Sequence, residues 1–129
     1  MTVLTSPATR GDLLKREFDP HYTRETVMLK AGTTYPLGAV LGRITADGKY
    51  VLSPAASTAG SEGAEIANAV LIEAVDATAA DAPALVIVRG PVIVADRALV
   101  FDASVADPAA QSLKHQQLAA HGIVVRATA

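Results

Sequence analysis

The apolar residues of this chain come in short runs, and nearly every run is closed by glycine, proline or a small polar turn. Residues 26–29, 69–75, 84–88 and 92–94 have the length of strands and fall short of a buried helix. A succession of short strands punctuated by turns predicts a mainly β domain, closed as a small barrel or paired as a sandwich. The side chains available to fill it are small. Half of the chain is apolar (50%), but alanine supplies about two-fifths of that half, and there are no Trp, two Phe and three Tyr. Alanine contributes little area, so Val, Leu and Ile must form the core, which suits closely spaced strands. A chain of 129 residues is sized for one domain, which at this length buries a little under ~70% of its unfolded surface.

The clearest local signal is a hairpin over residues 39–52. Asp47-Gly48 lies between two β-prone arms, and a type I′ turn would need positive φ at both positions. Glycines 32, 38 and 42 are spaced six and four apart and read as turns, while a glycine inside a strand marks a bulge or a close backbone approach. Residues 53–65, rich in Ser, Ala, Gly and Thr, read as a surface loop. The run 69–75 looks like a buried strand with 84–88 as its partner, and the small acidic stretch 76–83 turns between them. Gly90-Pro91 breaks the ladder because proline has no N–H to donate; residues 92–94 and 98–101 would then resume it. One helix is expected over residues 109–121, with Asp107 as N-cap, Pro108 in the first turn and Gly122 as terminator. Residues 123–126 close the domain as a final strand.

The same residues exclude most chemistry. Eleven Lys and Arg against thirteen Asp and Glu give a net charge of −2, and the basic residues are scattered, so no partner among nucleic acids is expected. No apolar run approaches the roughly 20 residues that span a bilayer, so no membrane partner is expected either. Residues 1–10 lack the apolar core of a signal peptide. With no cysteine, disulfides, thiolate metal sites and a Cys nucleophile are excluded, and synthesis in a reducing cytoplasm is expected. His115 and His121 are six apart, which puts them on different faces of a helix and not in the i, i+4 geometry of a metal pair. His21 reads as a surface residue. No Gly-x-Ser-x-Gly elbow, P-loop or dinucleotide-binding glycine motif occurs. The carboxylate pairs, Glu62 with Glu65 and Asp76 with Asp81, lie in loops. No catalytic residue, cofactor or metal is therefore expected.

Residues 1–17 carry Thr2, Thr5, Ser6, Pro7, Thr9 and Gly11 without a sustained period and read as a flexible N-terminal arm, leaving 18–129 as the β-rich domain. Leu13 and Leu14 are the only strong apolar pair in the arm. Two readings are open for them: a loosely packed terminus, or a segment that orders on a partner as an added strand.

An ordered series of motifs runs through the domain. Tyr22-Thr23-Arg24-Glu25-Thr26-Val27-Met28-Leu29 is followed by Pro36-Leu37-Gly38-Ala39-Val40-Leu41-Gly42-Arg43, then Leu71-Ile72-Glu73-Ala74-Val75-Asp76-Ala77-Thr78. Val86-Ile87-Val88-Arg89-Gly90-Pro91 comes next, and after the helix His121-Gly122-Ile123-Val124-Val125-Arg126. From Phe18 to Arg126 this series resembles the lambda-type head decoration proteins of tailed phages and prophages. The resemblance implies a structural virion protein, made in the host cytoplasm, that sits on the outside of the phage head. It further implies a homotrimer at three-fold and quasi-three-fold points of the expanded shell, with the N-terminal arm reaching onto the major capsid protein. Leu13, Leu14, Phe18 and Tyr22 become the candidate capsid-binding residues. Two other readings compete. Another virion module, from a tail or fibre, would share the composition. A biotinyl- or lipoyl-type carrier hammerhead would need a modifiable lysine at a hairpin tip, where Lys49 follows an ordinary Asp-Gly turn.

Overall fold

The structure, a computed structural model, describes residues 9–127. It opens with a helical turn α1 (Arg10–Leu13), strand β1 (Leu14–Glu17) and a second turn α2 (Pro20–Thr23). Strands β2 (Arg24–Leu29), β3 (Thr34–Tyr35), β4 (Val40–Arg43), β5 (Tyr50–Leu52), β6 (Ala67–Leu71) and β7 (Val75–Asp76) follow. Then come β8 (Ala82–Ile87), β9 (Val92–Ala95), a 3-10 turn at Asp96–Ala98, helix α3 (Pro108–Ala119) and β10 (Ile123–Arg126). Strands β2, β5, β4, β6 and β8 close into a barrel; β1, β9 and β10 form an open three-stranded sheet with β9 central; β3 pairs with β7. The mainly β architecture with a C-terminal helix is the one the short apolar runs predict.

The barrel strands β6 and β8 are largely apolar on both faces because both faces are covered. Inside the barrel, Leu29, Leu41, Ala69, Leu71, Ala84 and Val86 pack with Tyr35 and Ala39. Outside it, Val40, Ala67, Val70 and Ile87 pack against Leu13, Val92, Val94, Leu118 and Ile123 of the open sheet and the helices. A strand buried on both sides reads as a continuous apolar run, and β6 and β8 do so. They pair antiparallel, Val70 opposite Ile87 and Leu71 opposite Val86, as expected for the runs 69–75 and 84–88. The first run stops short as a strand at Leu71, because the Glu73 side chain turns in and accepts the Leu85 N–H (2.9 Å) in place of a backbone carbonyl. Val75 then leaves the barrel to pair with Tyr35.

The hairpin over residues 39–52 is present, with Leu41 opposite Leu52 and Arg43 opposite Tyr50. Its turn is not the two-residue one expected. Only Gly48 takes positive φ (+74°), and the chain spans four residues between Ile44 and Lys49, whose backbone groups pair (2.8 Å). Asp47 instead accepts the Lys49 N–H on its own carboxylate (3.0 Å), the side-chain turn that short acidic residues favour. Gly42 is the close approach that a glycine inside a strand signals. The β4–β6 register shifts there, and a Cβ on Gly42 would collide with the Ala64 carbonyl.

Helix α3 starts and ends as its caps dictate. Asp107 accepts the Ala109 N–H (3.1 Å), Pro108 occupies the first turn, and Gly122 takes φ +81° just past the end. The chain then lays β10 parallel to β9, Ile123 opposite Val92. Residues 98–101 are a correction. They form no strand; Val100 makes a single bridge to Ala39 after the 3-10 turn.

The N-terminal segment also differs from the expectation over part of its length. Residues 1–8 of the expected arm lie outside the described residues. Residues 10–17 form α1 and β1, and β1 pairs antiparallel with β9 through Leu14–Val94 and Glu17–Val92. Two contacts order it. Thr9 and Asp12 hydrogen-bond across the first turn of α1, and β9 supplies the ladder partner of β1, while Leu13 fills the core beneath the open sheet.

Candidate interaction surface

Residues alternate between the faces of the open sheet. Leu14, Val92, Val94, Ile123 and Val125 point to the shared core. Arg16, Ile93, Val124 and Arg126 lie on the outer face, and Phe18 follows β1 beside them. A shallow groove on this face is lined by Arg16, Phe18, Pro91, Ile93, Val124 and Arg126. The solvated face of a sheet packed on one side only is ordinarily polar. Here Phe18 is 71% exposed and Val124 38% exposed, and the flanking Arg16 and Arg126 form no ion pair among the described residues.

The link from β1 to β2 is held firmly. Arg24 Nε donates to Glu17 Oε2 (2.9 Å) and Arg24 Nη2 to Glu17 Oε1 (2.7 Å), a two-pronged pair that fixes both planes. The hydroxyl of Thr23, itself buried, donates to the same carboxylate. The Arg24 guanidinium beside Glu17 holds its carboxyl below the usual glutamate range, and the Thr23 hydroxyl adds to the effect. Asp19 caps α2 by accepting the His21 N–H (3.0 Å), with Pro20 pre-set in the first turn. This short ordered knuckle displays two aromatic rings, Phe18 and Tyr22, the latter 54% exposed. Arg89 stands over the Tyr22 ring (5.2 Å to its centre), donates to the Tyr22 carbonyl and pairs with Glu25 (2.8 Å). An aromatic already ordered by such contacts loses less freedom when a partner covers it.

Of the four candidate residues, the structure places Phe18 and Tyr22 together on this exposed knuckle. Leu13 has no exposed surface and belongs to the core of its own protomer, and Leu14 packs partly against that core. The histidines are not brought together: His21 and His121 are exposed, and His115 lies 6.0 Å from Phe101, ring centre to ring centre. Among the described residues no cluster of His, Asp and Glu has the grouping of a metal site, and no helix is long and apolar enough to cross a membrane.

Two features escaped sequence reasoning. The outer-face positions of β10 are hidden in an all-apolar Ile-Val-Val run, which carries no alternation. Lys114 was legible in principle, since it stands four residues before the buried Leu118 and so on the inward face of α3. It is buried, and its ammonium donates to Ser53 Oγ (2.9 Å), the Pro54 carbonyl (2.7 Å) and the Glu65 carbonyl (2.6 Å). These three bonds pin both ends of the loop spanning residues 53–65. Burial pushes the Lys114 amine below the ordinary lysine range.

The surface therefore exposes apolar and aromatic side chains framed by arginines, with no assembled catalytic constellation among the described residues. The family model of the bacteriophage lambda head decoration protein D matches residues 3–123. The chain belongs to this family. No curated protein matches it. As a phage head decoration protein it has a structural, capsid-associated role in the virion, and its family is structural rather than enzymatic. The matched span includes α1, β1 and the knuckle, so the exposed aromatics fall within what the family model describes.

Proposed function

We propose that this decoration protein binds the outside of the expanded phage capsid as trimers at the three-fold and quasi-three-fold sites and so stabilises the head. The observation that carries the reading is the family match across residues 3–123. The geometry supports it in one respect: a rigid knuckle presents Phe18 and Tyr22 to a partner, and burying aromatic anchors supplies much of the free energy of protein association. The N-terminal arm reaches the major capsid protein, with Leu13 and Leu14 anchoring it to the domain. Binding favours the expanded shell because only that conformation offers the complementary site, which is a difference in affinity between two states. Each trimer bridges several capsid subunits, so many modest contacts resist internal pressure together.

Co-sedimentation with cognate shells before and after expansion tests the proposal. Saturable binding to expanded shells alone, at about one copy per capsid subunit, is the expected result. Equal binding to both shell forms, or to neither, would overturn it. Removal of residues 1–8 is expected to weaken attachment while the melting transition of the domain stays in place; unchanged attachment would remove the arm from the contact.

A further inference from the structure

The outer face of the open sheet carries its side chains on a fixed lattice. Arg16 of β1 and Val124 of β10 both stand opposite Ile93 of the central strand, one on each side of it. Arg126 lies two residues farther along β10, and Phe18 lies two residues beyond Arg16, where its N–H donates to the Pro91 carbonyl (3.1 Å). Strands about 4.8 Å apart, rising about 3.3 Å per residue, put the Arg16 and Arg126 backbones about 12 Å from one another, with Ile93 and Val124 between them. Both arginines are exposed and neither has an ion pair among the described residues, whereas Arg24 and Arg89 are each held by a glutamate.

We infer that this face takes an extended segment of the major capsid protein in which two carboxylates flank an apolar residue at alternate positions, a reading that rests on the proposed capsid binding and adds the chemistry of the segment it meets. An extended chain turns every second side chain to the same side, so side chains four positions apart stand about 13 Å from one another, close to the spacing of the two arginines. Each carboxylate then meets one guanidinium, which can receive it with two parallel hydrogen bonds. The apolar residue between them covers Ile93 and Val124, and Phe18 packs against its flank. Arginine suits the frame because its weakly hydrated, planar guanidinium enters an interface at lower desolvation cost than an ammonium group. Register follows from the same lattice, since a slip of one residue turns both carboxylates away from the sheet. A phosphate backbone fits less well, because the row between the arginines offers it only apolar side chains.

The test is carbodiimide coupling on expanded cognate shells, a reaction that joins an amine to a carboxylate in contact with it. The full-length Arg16→Lys and Arg126→Lys variants are bound to shells and treated, and the linked peptides are identified by mass spectrometry. Arg43→Lys is the control, since Arg43 is exposed on the barrel and also has no ion pair among the described residues. Both sheet-face variants are expected to couple to one capsid-protein segment, at carboxylates about four positions apart with an apolar residue between them, and the control is not. In parallel, Arg16→Glu combined with Arg126→Glu should raise the concentration that half-saturates the shells about tenfold or more, and Arg43→Glu by less, with the gap narrowing at high salt. Circular dichroism and thermal melts separate loss of binding from loss of fold. Unchanged shell binding by the double charge reversal, without coupling at either position, would overturn the assignment of this face while leaving the decoration reading in place. Coupling to carboxylates of a second copy of this chain would overturn it too, by giving the face to a contact between copies. The same holds if the wild type sediments with phosphatidylserine vesicles and the double charge reversal does not, which would give the face to an anionic membrane. A wild type that binds no shell would overturn this assignment and the decoration reading together.

Discussion

The barrel and the open sheet share a core but leave their surfaces in different states. Every strand of the barrel has hydrogen-bonded neighbours on both sides, and its wall over β4, β6 and β8 is packed inside by Leu41, Leu71 and Val86 and outside by Leu13, Leu118 and Ile123. The open sheet ends in two edges, β1 and β10, and buries one face only; its other face carries Phe18, Ile93 and Val124 toward solvent. Closure removes strand edges and satisfies backbone groups internally, whereas an edge strand with an apolar face is a template for association that soluble proteins ordinarily blunt with charge or proline. Arg16 and Arg126 frame the apolar patch without covering it. The comparison teaches that closure leaves the barrel without a free strand edge, whereas the open sheet shares the core yet keeps two edges and an exposed apolar outer face.

The largest expected effect tests whether the open sheet is structurally part of the body at all. Leu13→Ala should cost about 3 kcal/mol in urea unfolding, similar to Leu29→Ala inside the barrel, because both leave a cavity at a site with no exposed surface. A loss below about 1 kcal/mol for Leu13→Ala alone would return residues 10–17 to a loosely attached arm and dissolve the parity of the two cores.

That result bears on how much was readable beforehand. The barrel strands were legible because covering on both faces turns a strand into a continuous aliphatic run, as in Ala69-Val70-Leu71-Ile72 and Leu85-Val86-Ile87. Helix α3 was legible because Asp107, Pro108 and Gly122 act through local backbone geometry. The strand within residues 10–17 was not legible, for the opposite reason. Their polar, aperiodic composition resembles a loose tail, and only the distant β9 supplies the partner that makes Leu14–Glu17 a strand. Residues 98–101 have strand-like composition, but the 3-10 turn ahead of them spoils the approach to a ladder. At the candidate surface, Phe18 and Tyr22 are candidates that the sequence offers, while Ile93, Val124 and the two arginines are not, because their common face exists only once β1, β9 and β10 are registered.

Next in size is Lys114. Replacing it with Met keeps the volume but leaves the Pro54 and Glu65 carbonyls without their donor, so stability should fall by about 2 kcal/mol. Hydrogen exchange at residues 54–66 should accelerate while the open sheet is unaffected. Unchanged exchange there would show that the loop is held by the barrel wall and not by the ammonium group.

A smaller effect distinguishes the knuckle by pH. The folded-state acidity of Glu17 is increased, its carboxyl lying below the ordinary value of 4.5, so its contribution is fully present above that value and is lost as pH falls through the lowered one. Glu17→Gln should therefore cost about 1 kcal/mol near neutrality, and the gap from wild type should close in acid. A gap that is independent of pH would mean that shape, and not the Arg24 ion pair, holds the link between β1 and β2.

The smallest expected change in stability is the one that separates the two halves most sharply. Phe18→Ser on the open sheet and Met28→Ser on the barrel both alter exposed apolar side chains, and each should shift unfolding by no more than about 0.5 kcal/mol. Their effects on association should differ, with Phe18→Ser weakening assembly on expanded shells and Met28→Ser leaving it nearly unchanged. Stability measurements alone would class the two substitutions together, so association is the discriminating readout. Equal loss of assembly in both variants would mean that the barrel surface carries contact as well. The proposed assignment of contact to the exposed face of the open sheet would then fail, even though every strand of the fold remained in place.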